Sequence, residues 1–281
     1  MACNMLAIMR KLLVVSVFMI LSQVCLSQGT HKFKINNVII DKCEFECIYY
    51  HRVYDENYMR SETDYNILQI SNKYTKYWSY DTYQVDSIIQ ARNIKEITFD
   101  EYSSISKGLQ VSTDYMVKDF FKGEIYDYCH IFIDYYVYTE PTPAVKWNFV
   151  KGTDVVCGYK CKKATATFRG RSWTAWYAPE IPYMEGPWKF NGLPGLILRI
   201  EDDKNEHVFE ATSIRMANSP ITKVLKDYIP TTRENFNKAL SEYKSDPSAV
   251  LGASELAPKD ANGKPIPLPK RRMFYNPIEL E

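Results

Sequence analysis

The feature that most restricts this chain is alternation. Between residues 124 and 138, Ile125, Cys129, Ile131, Ile133, Tyr135 and Val137 recur on one side, with Asp127 the single break. Tyr126, Tyr128, His130, Phe132, Asp134, Tyr136 and Tyr138 occupy the other side. A period of two built from aromatic and β-branched side chains belongs to a strand, and it cannot wrap an apolar face around a helix. The run exceeds the usual ~5 to 6 residues, so the predicted strand must bend or pair with more than one neighbour before Pro141 and Pro143 end it.

The same pattern marks strands over residues 35–40, 46–54, 65–71 and 74–79, then from residue 147, over 155–160, and over 163–177 with a break at Gly170. Residues 196–201 and 207–215 read as a hairpin around Asp202-Asp203-Lys204-Asn205. Consecutive strands favour antiparallel pairing. Helical spacing occurs twice. Val85, Ile88 and Ile89 predict a helix over 82–93, and Thr231-Thr232-Arg233-Glu234 reads as a capping box opening a helix over 232–244. From Pro258, with Pro265, Pro267 and Pro269, an extended arm poor in hydrogen bonds is expected. The fold class is mainly β, of the α+β kind, with one or two helices.

With 281 residues, 46% of them hydrophobic, the chain has the means to bury a substantial core. Lys plus Arg number 35 against 34 for Asp plus Glu, a formal charge of +1, which removes the basic field that a nucleic-acid partner requires. Only 11 Gly and 4 His accompany 22 Tyr, a balance that suits sheets better than glycine-rich nucleotide sites.

Residues 1–27 form a targeting signal by pattern: Arg10 and Lys11, an apolar run over 12–20, then Cys25-Leu26-Ser27 ahead of Gln28. The apolar stretch is shorter than the ~20 residues of a spanning helix, so export with cleavage near Ser27 and no transmembrane span afterwards is expected. A lipidated Cys25 is the rival fate, to which Val24 is a poor fit. The chain then divides into a signal (1–27), an antiparallel β domain (28–218), and a C-terminal helix and Pro-rich arm packed on that domain (219–281).

Export leaves Cys43, Cys47, Cys129, Cys157 and Cys161, and an oxidising compartment favours disulfides. Each close pair is four residues apart, about 13 Å along a strand, too far to bridge locally. A bridge from Cys47 to Cys161 is the first choice if their strands are neighbours. A four-sulfur zinc site is the alternative, unusual in exported proteins. No metal or cofactor is expected.

The most specific stretch runs from Phe168 to Ile197. Leu193-Pro194-Gly195-Leu196 is formed for a type II turn, with Pro setting φ at the second position and Gly accepting positive φ at the third. Gly192, Leu193, Pro194 and Gly195 are the structural turn, and Trp173, Trp176, Trp188 and Phe190 are expected around it. Arg169 and Arg171 share a strand face with Trp173. One reading makes Arg169, Arg171, Trp173, Trp176 and Trp188 a ligand-binding group for a carboxylate or phosphate. The other has both arginines bracing the turn through Glu180 or Glu185 and stacking on Trp or Tyr.

This block resembles the GLPGLI family of exported Bacteroidetes proteins, in which Gly192-Leu193-Pro194-Gly195-Leu196-Ile197 is the eponymous run. Gly158-Tyr159 with Cys161 and Lys163-Ala164, Phe168-Arg169-Gly170-Arg171, Ala175-Trp176-Tyr177, Pro179-Glu180-Ile181-Pro182, Gly186-Pro187-Trp188-Lys189-Phe190 and Tyr275-Asn276-Pro277-Ile278-Glu279 fit the same pattern. The resemblance implies a periplasmic or outer-membrane-associated location and no established activity. The Gly-Tyr-x-Cys-x-Lys-Ala run followed by a Trp-Tyr strand is also loosely similar to lipoprotein-carrier folds, which implies a curved antiparallel sheet or half-barrel around an apolar concavity.

No nucleophile elbow, zinc-protease helix, phosphate loop or dinucleotide fingerprint is present. His51, His130 and His207 are the well-placed imidazoles, with His51 and His130 read as structural. Two functions follow. The first is a non-catalytic binding or envelope-accessory protein that takes an apolar or peptide ligand, or an envelope protein partner, on an aromatic-lined concave sheet. The second is an envelope hydrolase, which needs a convergent set such as His130, Asp134 and Arg171.

Overall fold

A computed structural model describes residues 31–281, and the targeting signal expected at 1–27 lies outside the described residues. The described chain divides into two compact units, one of residues 31–36 with Gln84–Gln110, the other of Asn37–Tyr83 with Val111–Glu281. In the first, β1 (Lys32–Lys34) pairs with β6 (Glu96–Thr98), and α2 (Phe99–Ile105) carries a capping box between Thr98 and Glu101. Helix α1 (Tyr80–Ala91) runs into this unit and buries Val85 and Ile89, as their spacing predicts.

The second unit holds β2 (Asn37–Lys42), β3 (Phe45–Asp55), β4 (Arg60–Ile70), β5 (Tyr74–Ser79), β7 (Tyr115–Asp119), β8 (Glu124–Ile131) and β9 (Asp134–Pro141). It continues through β10 (Asn148–Val156), β11 (Tyr159–Phe168), β12 (Arg171–Ala178), β13 (Leu196–Asp202), β14 (His207–Met216), β15 (Pro220–Val224) and β16 (Ile229–Pro230) to α3 (Arg233–Ser245) and α4 (Pro247–Ala253). Twelve of these strands form one sheet in the order β10-β11-β12-β13-β14-β3-β4-β5-β7-β8-β9-β16, antiparallel except for β16 on β9. Strands β2 and β15 form a separate pair.

The alternation over residues 124–138 is resolved as two strands. Pairing of Ile131 with Asp134 closes a two-residue hairpin in which Phe132 takes φ 58°. Such turns favour Asn or Gly, so Phe132-Ile133 gives no sequence signal, and one long strand is replaced by β8 and β9. At Cys157-Gly158 and Arg169-Gly170 both turn residues have positive φ, which suits a tight hairpin. The first of these turns interrupts the strand expected over 155–160. Helix α3 is capped by Thr232, whose hydroxyl accepts from Asn235 N–H. The expected box between Thr231 and Glu234 is therefore replaced by a single cap one residue later.

The sheet is open but strongly coiled. In a flat sheet, the eight spacings from β12 to β9 would separate them by about 38 Å. Instead Arg169, in the β11–β12 turn, is in ion-pair contact with Glu140 of β9. Coiling also brings Cys47 and Tyr49 of β3, Leu68 of β4, Cys161 of β11, Trp176 of β12 and Leu198 of β13 into one buried cluster. Ile48, Ile67, Trp78, Tyr115, Val117 and Tyr128 form another. Over Phe45–Tyr49 of β3 and Ile67–Ile70 of β4 both faces are buried, which accounts for the apolar and aromatic run in these segments, while Arg60–Tyr65 of β4 is exposed.

The 192–195 turn differs from the type II expectation. Gly195 N–H donates to Leu193 O at 2.8 Å across three residues, while Leu196 N–H donates to Ile181 O at 3.1 Å. Pro194 is thus the corner of a γ-type turn. Gly195 has φ 141°, and a Cβ there would fall on the carbonyl oxygen of Ala178. The glycine is required by close approach of two backbones.

Candidate functional site

Pairing of β14 with β3 and of β3 with β4 sets Phe209 opposite His51, His207 opposite Val53, and His51 opposite Asp64. Together with Tyr77, Tyr138, Trp188 and Leu240, these residues line a cavity of about 350 Å³. That volume falls within the range of small-molecule sites. The His51 ring stacks on Phe209 at 3.9 Å with an interplanar angle of 4°.

Three side chains form a line into the cavity. His51 Nδ1 is 3.2 Å from Asp64 Oδ1, and His51 Nε2 is 3.4 Å from His207 Nδ1. Asp64 is exposed while His207 is 2% exposed, so the line leads from solvent to the interior. Burial first, then the neighbouring His51 and Arg171, push the His207 pKa down to about 2, which keeps the ring neutral. The carbonyls of Asn276 and Pro277 oppose that shift from nearby, but neither makes a well-formed bond to His207 Nε2, which is buried without a hydrogen-bond partner. Tyr77 Oη is also buried and unpartnered, and burial holds its pKa well above the usual phenol value.

Residues 275–279 form another wall. Asn276 accepts from Arg171 Nη2 at 2.6 Å and donates to Tyr54 O at 2.8 Å, and Pro277 O accepts from Arg171 at 2.7 Å. Glu279 accepts from Lys189 at 2.8 Å and from Arg233 at 2.7 Å. Burial opposes ionisation of Glu279, but Lys189, Arg233 and Arg169 outweigh it and hold the carboxyl below its usual range. Lys189 is fully buried, and burial is likewise outweighed by Asp127, Glu279 and Glu140, which raise its pKa. The extended arm thus ends in a dense polar anchor that the proline pattern did not signal.

A larger hollow of about 810 Å³ is lined by Thr139, Glu140, Pro141, Pro143, Arg169 and Arg233, among others. Its buried Glu140 Oε1 is paired with Lys189 at 2.5 Å, and Arg169 Nε lies 4.0 Å from Glu279. Its charges answer one another and half of its lining residues are Thr or Pro. The aromatic cavity is therefore the candidate site.

The residues singled out in the sequence take different places. Trp188 lines the cavity. Trp173 is 1% exposed and donates Nε1–H to Phe168 O at 3.0 Å. Trp176 is buried under Arg199, whose guanidinium carbon lies 3.8 Å from the ring centroid. Arg171 is spent on Asp202 at 2.6 Å, Glu206 at 2.7 Å, Asn276 and Pro277. Arg169 pairs with Glu140. The arginines therefore brace through Glu140, Asp202 and Glu206 rather than Glu180 or Glu185, and Glu185 instead meets the buried Lys118 at 2.5 Å. Asp202 is buried in this contact.

Cys47 and Cys161 share one apolar cluster but remain free thiols, as do Cys43, Cys129 and Cys157. The expected bridge between them is absent: β12, β13 and β14 intervene between β11 and β3, so the two strands are not paired neighbours. Burial pushes the Cys161 thiol up to about 11. His130 Nδ1 lies 2.5 Å from Asp114 Oδ1, and among the described residues it shares no hydrogen bond or ion pair with Asp134 or Arg171. That proposed catalytic set is not assembled. What the sequence reading missed is the meeting of His51 and His207, separated by 156 positions. The signal available was an imidazole in each of two alternating strands.

Residues 169–199 match a family described as "Protein of unknown function (Porph_ging)", which is consistent with a Bacteroidetes family of unknown function. No curated protein matches the chain. A solved structure of PNGF-II in the P21 space group is 13% identical with a TM-score of 0.48, covering 79% of this chain and 39% of its own. PNGF-II in the C2 space group is 13% identical with a TM-score of 0.46, covering 72% of this chain and 33% of its own.

Proposed function

We propose that this chain is an exported cell-envelope protein, periplasmic or associated with the outer membrane, that binds a small apolar or peptide ligand in the His51–His207 cavity without turning it over. The observation that carries this reading is an aromatic cavity of about 350 Å³ in which two lining residues, Tyr77 and His207, each have a buried, unpartnered polar atom. The signal pattern at residues 1–27 supports export, and the 192–197 run, inside the matched stretch, supports placement with the GLPGLI proteins.

The alternative, an envelope hydrolase, is favoured by the line from Asp64 through His51, a carboxylate orienting an imidazole. Against it, His51 Nε2 faces another imidazole, and no Ser, Thr or Cys lines the cavity among the described residues. Native mass spectrometry on protein drawn gently from its own cell envelope tests the binding reading. A co-purifying mass is expected, lost in Leu240→Trp, which fills the cavity from α3. A bare chain in the unaltered protein would overturn it.

A further inference from the structure

The geometry points to a docking surface at the β10 end of the sheet, where Phe149 and Val155, flanked by exposed lysines, seat this protein on an anionic phospholipid surface. The inference goes beyond ligand binding, because none of these residues lines the His51–His207 cavity. It begins from a local imbalance of charge. Residues 144–168 hold Lys146, Lys151, Lys160, Lys162 and Lys163 against one carboxylate, Asp154, in a chain whose formal charge is only +1.

The hairpin of β10 and β11 sorts these residues by face. Phe149 stands opposite Ala164, Thr153 opposite Lys162, and Val155 opposite Lys160. Residues directly opposite in an antiparallel pair point the same way, and so do residues two apart along a strand. Phe149, Thr153 and Val155 therefore share one face with Lys160 and Lys162. Asp154 stands opposite Cys161, on the other face, where Arg199 holds it at 2.8 Å. Lys163 is on that other face too, with its ammonium 5.5 Å from the Trp176 ring centroid.

Exposure completes the pattern. Phe149 is 64% exposed and Val155 67%, and the Phe149 ring leans edge-on against Tyr177 at 6.3 Å. Lys146, Lys151, Lys160 and Lys162 are exposed as well, and among the described residues none of the four is in an ion pair. Solvated lysines alone need no partner, and neither do single apolar side chains. Together on one face they supply the two attractions of a peripheral membrane contact: apolar groups that enter the headgroup layer and cations that meet its phosphates.

An added peptide strand is the rival occupant of a sheet edge. This edge is blunted, because the register shifts across Lys151 and Gly152 and the N–H of Val155 donates to its neighbour Asp154 Oδ1 at 2.8 Å. What stays open is the face. Two apolar side chains also fall well short of the ~800 Å² per partner that a stable protein interface buries.

Co-sedimentation of the full exported chain with vesicles is the test. Vesicles of phosphatidylglycerol and phosphatidylcholine in equal parts should take up the protein at least about tenfold more strongly than phosphatidylcholine alone, and added salt should release it. Lys160→Gln with Lys162→Gln should weaken uptake about 25-fold, at about fivefold for each cation near an anionic surface. Phe149→Ser with Val155→Ser should weaken it at least about tenfold. Lys238→Gln with Lys259→Gln removes the same charge from exposed positions elsewhere and should leave uptake unchanged. All six positions are exposed, so thermal melts of the variants should match the unaltered protein. Equal uptake by both kinds of vesicle would overturn the inference, as would an equal loss in the two lysine pairs. No uptake by anionic vesicles would overturn it too, and binding of polyglutamate in that case would assign the face to an acidic protein. These readings do not involve the cavity, so a bare chain in the mass measurement leaves them standing.

Discussion

Lys189 Nζ stands 2.8 Å from Glu279 Oε1, joining the 179–195 loop to the C-terminal segment across 90 positions of sequence. The ammonium is fully buried and also meets Glu140 at 2.5 Å. Truncating it removes a cation shared by three carboxylates, leaving Glu279 to Arg233, Glu140 to Arg169, and Asp127 with the Tyr138 hydroxyl alone. Lys189→Met should lower stability by about 3–5 kcal/mol, and pairing it with Glu279→Gln should cost less than the single change. Urea unfolding of the single and double variants measures both.

Gly195 and Gly252 make opposite predictions for the same substitution. At Gly195, with φ 141° and the Ala178 carbonyl in the way of a Cβ, alanine forces two backbones apart. Gly195→Ala should lose several kcal/mol or fail to fold. In α4, nothing lies within 4 Å of a Cβ on Gly252, so Gly252→Ala should gain up to about 1 kcal/mol. Thermal melts of the two variants side by side would show the contrast.

His207 makes stability depend on pH. Its folded pKa of about 2 lies below the ordinary 6.5, so the unfolded chain binds the extra proton as pH falls. The contribution is complete above pH 6.5 and is lost progressively below it. Between about pH 6.5 and 4.5, above the ordinary range of the glutamates, the loss should approach one proton, or about 1.4 kcal/mol per pH unit. His207→Gln should flatten that slope. Denaturation midpoints at several pH values in this window decide it, and an unchanged slope would remove His207 as the cause.

The cysteines offer a chemical count. With all five described thiols free, alkylation of denatured protein without reductant should label Cys43, Cys47, Cys129, Cys157 and Cys161. In the folded protein Cys157, the one that is not buried, should react first. Cys47 and Cys161 both unlabelled after denaturation would restore the bridge that their shared cluster lacks.

Local pattern carried much of the architecture. Strand β5 appears where alternation placed it, and the β13–β14 hairpin turns at Asp202-Asp203-Lys204-Asn205 as expected. The β8–β9 hairpin escaped notice because Phe132 adopts a left-handed conformation that its side chain does not advertise. The candidate site was less legible still. His51 reads as one more residue in a tyrosine-rich strand, and His207 as the first residue of another. Only the pairing of β3 with β14 makes them neighbours, and a pairing between segments so distant in sequence leaves no mark in either segment alone.

The union of β3 with β14 also sets a timetable. It joins segments about 150 positions apart at the middle of the sheet, so a large loop must close before the two halves become continuous. Until then β3 has a bare edge beside Ile48 and Tyr49. Assembly of this protein should therefore be slow and most prone to clumping in that interval, and agents that shield strand edges should raise its yield on refolding.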